Sequence, residues 1–439
     1  MANKKVLRVA ELFAGVGGFR LGLDKVKTKN KKAFETVWSN QFEPGKKIQI
    51  ANDVYVRQFG RKNHCEEDIE KVLEKFPNVI NEHDVLVGGF PCQDYSVATT
   101  LKTSGGIEGK KGVLWWSINE FLQYFQKERK SPTPYLILEN VNRLLVSPAK
   151  RRGKDFAIML SCLNRLGYAV EWRVINAADY GCAQRRRRVF MVGYHKKSKV
   201  YKTLTSLSPS DVINNEGVLI NAFPCKANSD SQEFKIDSNP RKVSDFFNVE
   251  GGKSPFLNSG FMIDGSITTQ KLEPNYKGSY IVLRDIIDDD NNNIDEEFFV
   301  DKKALKKWKL LKKAKSIKKT SKDGSYKYIF KEGNMDCPDS LDKPSRTIIT
   351  SEGGNTPSRF KHIIEVDGKH RRLTPKELDM LSDFPEDWTK HGLRSESDKD
   401  GSYEYELTPN QRAFLIGNAL VVGVVEKIGK SLINKINNG

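Results

Sequence analysis

Long apolar runs are missing from this sequence: no stretch approaches the roughly 18 consecutive apolar residues that a membrane-spanning helix requires. Residues 1–5 include two lysines and lead directly into a predicted strand, so no signal peptide is indicated. We therefore expect a soluble, intracellular protein without a membrane partner.

Cysteine and histidine are scarce and are not clustered. The six cysteines contain no C-x-x-C pair, and the six histidines form no ligand group beside them. Neither a disulfide framework nor a zinc site is expected, and no metal is assigned. This cysteine usage is typical of a reducing compartment.

Acidic residues are outnumbered, 56 to 73, by lysine and arginine, which gives a formal net charge of +17. Such an excess favours a polyanionic partner, most simply nucleic acid, although basic composition alone is a weak signal. A chain of 439 residues can bury a large core and is expected to form two domains.

Five apolar runs in the first half predict strands, and polar or glycine-rich segments follow them. The runs are residues 5–12, 35–40, 85–87, 135–138 and 189–192. The first run leads into a turn with three glycines and then into a predicted helix, and such a turn lets a nucleoside ligand approach the backbone. The pattern predicts an α/β fold.

Cys92 stands at the end of the third strand, in the sequence Gly-Gly-Phe-Pro-Cys-Gln. Glu139 and Asn140 follow the fourth strand, and residues 184–188, Gln-Arg-Arg-Arg-Arg, precede the fifth. A thiol, a carboxyl and a guanidinium group are therefore expected at one edge of the sheet, where ligands bind in α/β folds. Taken singly, each has a simpler interpretation: an inert buried cysteine, a helix cap and a solvated basic turn.

The segment between Gln93 and Leu114 has four glycines and three lysines but no regular pattern. Unpatterned segments of this length are uncommon inside compact domains. It is interpreted either as a lid that closes over a phosphate-bearing substrate or as a disordered insertion.

The pattern changes near residue 199, where short mixed segments and lysines replace the regular alternation. Residues 285–301 carry eight acids and no base, whereas residues 302–331 carry thirteen lysines and one acid. The basic segment is interpreted either as a contact with a phosphate backbone or as a solvated helix face. Regular pattern returns with a helix capped by Thr374 and with a terminal helix over residues 411–433.

In its motifs the sequence resembles the DNA (cytosine-5) methyltransferase family of bacterial restriction-modification systems. Six ordered motifs carry the resemblance: Phe13-Ala14-Gly15-x-Gly17-Gly18, Pro91-Cys92-Gln93, Glu139-Asn140-Val141, Gln184-x-Arg186-x-Arg188, Arg372-Leu373-Thr374-Pro375 and Gly417-Asn418. The resemblance implies a Rossmann-like, S-adenosylmethionine-dependent domain over residues 1–198, completed by 411–439. It also implies a smaller mixed target recognition domain over 199–365 and a hinge region over 366–410.

The resemblance also implies how the candidate catalytic residues act on a flipped-out cytosine. Cys92 adds to C6 of the base, which creates enamine character at C5. Glu139 shares a proton with N3, and Arg186 holds the exocyclic oxygen. Arg188 steadies this cluster, and Asn140 orients its strand end.

S-adenosyl-L-methionine is the cofactor that the resemblance implies. Its expected binding residues are Phe13, Ala14, Gly15, Gly17, Gly18, Gln41, Asp68, Ile69, Pro91, Leu114, Asn418 and Leu420. Many family members have glutamate where this chain has Gln41, so the ribose contact is left open between Gln41 and the nearby Glu43.

Double-stranded DNA is the implied substrate. The expected DNA contacts are Gln93, Ser96, Lys111, Thr347 and Ile348, of which the last two replace the Thr-Leu pair common in the family's recognition domain. A monomer in the bacterial cytoplasm is expected, with a cognate restriction endonuclease as its functional partner.

Two other functions remain open on the sequence. A tRNA cytosine-5 methyltransferase shares the catalytic residues, although the recognition region here is longer than that class carries. A non-catalytic DNA-binding regulator with this fold is the second alternative, and the intact Cys92, Glu139 and Arg186 argue against it.

Overall fold

The computed structural model describes residues 6–90, 114–320, 324, 327–395 and 401–438. The strands are β1 Leu7–Leu12, β2 Lys27–Thr28, β3 Lys31–Lys32, β4 Phe34–Asn40, β5 His64–Cys65, β6 Val85–Gly89, β7 Tyr135–Val141, β8 Tyr168–Asn176, β9 Arg187–His195, β10 Cys225–Ala227, β11 Gln232–Lys235, β12 Ser259–Ile263, β13 Ser266–Gln270, β14 Leu272–Pro274, β15 Lys315–Thr320, β16 Lys327–Glu332, β17 Ile364–Val366, β18 Lys369–Arg371, β19 His391–Ser395 and β20 Ser402–Glu406.

The helices alternate with these strands in the first half of the chain. They are α1 Gly18–Asp24, α2 Ile50–Phe59, α3 Ile69–Lys75, α4 Leu114–Lys127, α5 Lys154–Arg165, α6 Lys199–Thr205, α7 Pro209–Asp211, α8 Val218–Ala222, α9 Pro240–Phe246, α10 Lys302–Lys312, α11 Pro375–Leu381, α12 Pro409–Asn418 and α13 Val422–Asn438.

One large sheet organises the fold, and its strand order is β11-β13-β12-β8-β9-β7-β6-β1-β4-β5. Strands β5, β4, β1, β6 and β7 are parallel, and β9 pairs antiparallel with β7. All five apolar runs of the sequence form strands of this sheet. The predicted α/β, Rossmann-like fold is confirmed.

The sheet is covered on both faces because its central strands are apolar on both sides. One core cluster packs α3, α4 and α5 against residues such as Leu86 and Leu136. The other packs α1, α6, α8 and α13 against Val87 and Ile137, which point to the opposite face. The last helix, α13, thus returns to the first domain, as the resemblance implies.

The sheet extends further along the chain than the sequence indicates. Strands β12 and β13 continue it beyond β8, although both lie in the segment assigned to target recognition. The prediction of one terminal helix over residues 411–433 is wrong, because the structure has two helices in this range, α12 and α13. The chain turns between them, and the Val422 amide donates to the Ser382 carbonyl at 3.0 Å.

A third cluster joins the sheet domain to the second half of the chain. It includes Val54 of α2, Ile348, Leu378 of α11 and Ile416 of α12. Helix α11 begins as predicted, with Thr374 as its cap and Glu377 completing a capping box. None of the helices in the part of the chain that the structure describes is long and apolar enough to cross a membrane.

Candidate active site

The strand end that leads to Cys92 lies beside the strand end that carries Glu139. Backbone pairing between β6 and β7 stops at Gly89 and Glu139, which are partners in register. Phe90 follows Gly89, and the next residues belong to a segment outside the described ranges. The candidates that fall in it are Pro91, Cys92, Gln93, Ser96 and Lys111, so their predicted roles stay predictions.

Asn140 fixes the chain just before this segment. Its side-chain amide donates to the Phe90 carbonyl oxygen at 2.9 Å, and its own oxygen accepts from the Val141 amide at 2.8 Å. Asn140 is 1% exposed, so both bonds are shielded from water. These bonds hold Phe90 against the end of β7, and the predicted catalytic role of Asn140 stays a prediction.

Glu139 pairs with Arg188, with 2.9 Å between Oε1 of the carboxyl and Nε of the guanidinium. Burial raises the pKa of Glu139, while Arg188 and then Arg186 oppose the rise. A carboxyl group in this setting retains its proton to higher pH than a free glutamate. The pair can therefore supply both a shared proton and a fixed cation at the sheet edge.

Arg186 is buried, and its terminal nitrogens bind backbone rather than the sheet edge. They donate to the carbonyl oxygens of Ile348, at 3.3 Å, and Gly417, at 2.9 Å. Burial, and next the nearby Arg188, lowers the pKa of Arg186 to about 9. Arg186 thus holds three distant parts of the chain together behind the Glu139 and Arg188 pair.

The predicted Thr347 and Ile348 DNA contacts differ in what the structure allows. Thr347 is half-buried, and its hydroxyl donates to the Arg185 carbonyl at 2.5 Å. Ile348 is 1% exposed in the third core cluster, and its amide donates to Gln184 at 3.1 Å. The Ile348 side chain is therefore not at a surface that DNA can reach, because residues just before β9 and residues of helix α12 pack around it.

The glycine turn after β1 adopts left-handed backbone at Phe13, Gly15 and Gly17, with φ of 55°, 57° and 86°. A Cβ added at Gly15 would meet no described atom within 4 Å, so the outer side of this turn is open. The turn is held from behind: Gln41 accepts from the Gly15 amide at 2.7 Å, and Ala14 donates to the Asn40 carbonyl at 3.0 Å. This is a cradle that fits a nucleoside ligand.

The remaining cofactor candidates differ in burial and in their contacts. Asp68 caps α3 by accepting from the Glu70 amide at 3.0 Å, and the side chain of Ile69 is buried. Leu420 packs on α1, 3.0 Å from where a Cβ on Gly18 would stand. Leu114 is half-buried at the start of α4, and Asn418 is exposed at the end of α12.

A buried polar network beneath the turn escaped the sequence-based prediction. Glu11 accepts from the Tyr55 hydroxyl at 3.0 Å and from the Arg20 amide at 3.3 Å. Burial raises the pKa of Glu11 to about 7. Nearby, His64 bonds Ser39 at 2.8 Å, and burial lowers the pKa of His64 to about 4. The sequence did contain a signal for this network: Glu11 is an acidic residue inside an apolar strand, directly before a glycine turn.

Comparison with known proteins identifies the family. The model of C-5 cytosine-specific DNA methylases matches residues 7–434. The chain is 44% identical to the Type II methyltransferase M.Sau3AI of Staphylococcus aureus, across 98% of this chain and 97% of that protein. It is 34% identical to the Type II methyltransferase M.NgoBI of Neisseria gonorrhoeae over 44% of this chain and 52% of that protein.

A solved structure shows the same fold. The S. pombe Dnmt2 methyltransferase superposes with a TM-score of 0.54 and 16% identity over 99% of this chain and 100% of that chain. The chain therefore belongs to the C-5 cytosine-specific DNA methylase family. It is a DNA (cytosine-5) methyltransferase, as its sequence motifs predict.

Proposed function

We propose that the enzyme methylates C5 of a flipped-out cytosine in a specific sequence of duplex DNA, after Cys92 has added to C6 of that base. The observation that carries the mechanism is the pairing of Glu139 with Arg188, 2.9 Å apart, beside the strand end that leads to Cys92. A carboxyl, a cation and a thiol are the groups that activation of cytosine requires, and the first two lie beside the strand end that leads to Cys92.

The chemistry explains why three groups are needed. Cytosine C5 is too poor a nucleophile to accept a methyl group directly. Attack of the Cys92 thiolate forms a bond to C6 and moves negative charge toward N3 and O2. Glu139 shares a proton with N3, so that C5 becomes the nucleophilic carbon. Loss of the C5 proton after methylation releases the thiolate and restores the base.

The geometry supports Arg188, rather than Arg186, as the cation for the exocyclic oxygen. Arg188 lies against the Glu139 carboxyl, whereas the terminal nitrogens of Arg186 are bound to the carbonyls of Ile348 and Gly417. We therefore assign stabilisation of the negative charge at O2 to Arg188. Arg186 is assigned the support of the surrounding chain.

S-adenosylmethionine supplies an electrophilic methyl group when it is bound, and the turn after β1 fits it. The open side of Gly15 and the left-handed backbone of Phe13 support close approach of the ligand to the turn. Gln41 is engaged with the Gly15 amide, so Glu43, whose pKa burial raises, is the better candidate for a ribose hydroxyl.

The proposed biological role is protection of host DNA in the bacterial cytoplasm. Its support is the similarity to Type II methyltransferases of bacteria across nearly the whole chain. A cognate endonuclease of the same specificity is the implied functional partner. A monomer is sufficient, because each strand of a palindromic site can be methylated separately.

Methyl transfer from tritiated S-adenosylmethionine to duplex DNA and to tRNA tests the proposal. We expect turnover on duplex DNA only, and bisulfite sequencing then gives the modified cytosine. Turnover on tRNA alone would identify the alternative substrate, and no turnover on either would leave a non-catalytic DNA-binding protein.

Replacement of Cys92 tests the covalent step. Cys92→Ala should abolish methylation but keep binding of DNA and cofactor. DNA with 5-fluorocytosine at the target should form a denaturant-stable adduct with the unchanged enzyme but not with Cys92→Ala. Cys337→Ser, at a half-buried cysteine in the second half of the chain, is the control that should retain the adduct. Methylation by Cys92→Ala would contradict the mechanism.

A further inference from the structure

A two-stranded hairpin, β15 and β16, stands apart from the other sheets in the second half of the chain. Its register pairs Lys315 with Glu332 at the base and Thr320 with Lys327 toward the tip. No third strand joins it among the described residues. Because an isolated hairpin is only marginally stable in water, a partner surface is expected for a hairpin that carries so little packing.

The two faces of the hairpin differ. Residues of one face, here called the basic face, are Ser316, Lys318, Thr320, Lys327, Ile329 and Lys331. All six are exposed, and none is acidic. The opposite face is partly occupied within the protein: the Lys319 ammonium lies 4.0 Å from the centroid of the Phe330 ring, and Lys315 pairs with Glu332 at 3.2 Å.

Arg359 clamps the base of the hairpin. Its guanidinium donates to the carbonyls of Leu311, at 3.0 Å, and Lys313, at 2.8 Å, just before β15 begins. It also donates to the Gly333 carbonyl, just after β16 ends. Arg359 is 7% exposed, so this clamp is shielded from water and fixes the direction in which the hairpin projects.

The segment that follows the hairpin lies near Arg185, the residue before Arg186. Residues 334–336, which follow β16, line a cavity of about 210 Å³ together with Arg185 and Arg346. Arg185 precedes Arg186 directly, and its amide donates to the Ser345 carbonyl at 2.8 Å. The segment after the hairpin and the segment that leads into β9 therefore border the same cavity.

We propose that the basic face of this hairpin lies in the major groove of the substrate duplex, with Arg359 as the positioning residue that aims it. The inference rests on the proposed action on duplex DNA. A major groove about 12 Å wide admits a two-stranded ribbon. Lys318, Lys327 and Lys331 match phosphates in charge, and the hydroxyls of Ser316 and Thr320 suit base edges.

A charge-removal experiment tests the phosphate contacts. Lys318→Gln with Lys331→Gln should weaken binding to every duplex and lower the slope of log affinity against log salt by about 1.8, because each phosphate contact contributes roughly 0.9. Lys27→Gln with Lys31→Gln removes the same charge from another exposed hairpin, β2 and β3, which directly precedes β4 in the chain. This control should leave the slope unchanged.

A second set of variants tests base recognition. Ser316→Ala, Thr320→Val and Ile329→Ala, combined, should lower discrimination between the methylated sequence and its single-base variants by about tenfold or more. The dependence of affinity on salt should remain that of the unchanged enzyme.

Replacement of Arg359 tests the clamp. Arg359→Ala should raise KM for DNA and reduce sequence discrimination, with little change in cofactor affinity, and Arg359→Lys should restore part of both. Arg151→Ala is the matched control, since Arg151 also binds backbone carbonyls, those of Ser244 and Phe247, away from the hairpin. It should affect stability without affecting discrimination.

Two results are distinguishable. If the unchanged enzyme methylates a defined sequence while the hairpin variants keep its salt slope and discrimination, the groove assignment is overturned and the proposed function stands. If the unchanged enzyme transfers no methyl group to any duplex, the proposed function itself fails.

Discussion

The Asn140 amide joins β7 to the Phe90 carbonyl, 2.9 Å away, just beyond the point where the backbone pairing of β6 and β7 ends. A side chain thus continues the ladder by one step and fixes the last described residue before the Pro-Cys-Gln sequence. The end of β6, which leads to the proposed nucleophile Cys92, is therefore linked to the strand that carries the proposed catalytic carboxyl, Glu139.

Asn140→Ala should lower kcat by about tenfold or more, because misplacement of a reacting group is costly even when binding persists. Cofactor affinity should change little. The measurement is single-turnover methylation with saturating DNA. Asn258→Ala is the control, since Asn258 makes the same kind of backbone bonds, to Leu272, just before β12 begins. Equal loss of kcat in both variants would indicate a general folding defect.

Glu139→Gln should lower the rate by about 10²-fold or more, the range of general-acid contributions. Because burial raises the pKa of Glu139, the protonated form persists above the usual range for glutamate, and the rate should fall as the pH rises through that raised pKa. This alkaline limb should disappear in the variant. The pH profile of kcat measures it.

Glu171→Gln provides the comparison for Glu139. Burial also raises the pKa of Glu171, but its carboxyl binds the amides of Val218 and Leu219 at the start of α8. We expect reduced stability and an unchanged pH profile. Loss of cofactor binding in Glu139→Gln, with chemistry intact, would instead assign Glu139 to the cofactor site.

Substitutions of Arg186 and Arg188 should have different effects: the first should reduce stability, and the second should reduce catalysis. Arg188→Lys should reduce kcat while the unfolding midpoint stays near that of the unchanged enzyme. Arg186→Lys should lower the midpoint, because a lysine cannot bind the Ile348 and Gly417 carbonyls with two separate nitrogens. Thermal unfolding and single-turnover rates distinguish the two. The reverse pattern would indicate that Arg186, rather than Arg188, stabilises the negative charge at the exocyclic oxygen.

Glu11 should make stability depend on pH. Burial raises the pKa of Glu11 in the folded protein to about 7, above its usual value of 4.5, so the folded protein retains the proton to higher pH than the unfolded chain. The free energy of unfolding should therefore fall between about pH 4.5 and pH 7, by about 3 kcal/mol from this group. Urea titrations across that range should give a flatter dependence for Glu11→Gln. Glu35→Gln, at an exposed position, is the control and should leave the pH dependence of the free energy of unfolding unchanged.

The sequence predicted the parallel half of the sheet because its strands are continuous apolar runs, as in residues 85–87 and 135–138. The convergence of Glu139 and Arg188 at one edge followed from the same pattern. The pairing of β12 with β8 was not predictable in this way, because it depends on contacts between distant, partly polar strands.

The charge of a lysine-rich segment does not by itself predict which of its lysines are exposed. The basic run suggested a uniform solvated or DNA-binding surface, yet Lys312 is 1% exposed and pairs with Asp339 at 3.1 Å. Ile348 is likewise predicted from the sequence to contact DNA, yet its side chain is buried in the third core cluster. Burial of a single position is set by the elements that fold over it, and these are distant in sequence.

The carbonyl of Gly417 lies 231 residues after the arginine it binds, and Leu420 packs on the first helix from the same late part of the chain. A fragment that contains only Cys92, Glu139 and Arg188 therefore lacks the supports of its own active site. Synthesis must pass through the entire recognition segment before those supports exist. We therefore expect a nascent or truncated chain that ends before Gly417 to lack methylation activity, with or without sequence selection.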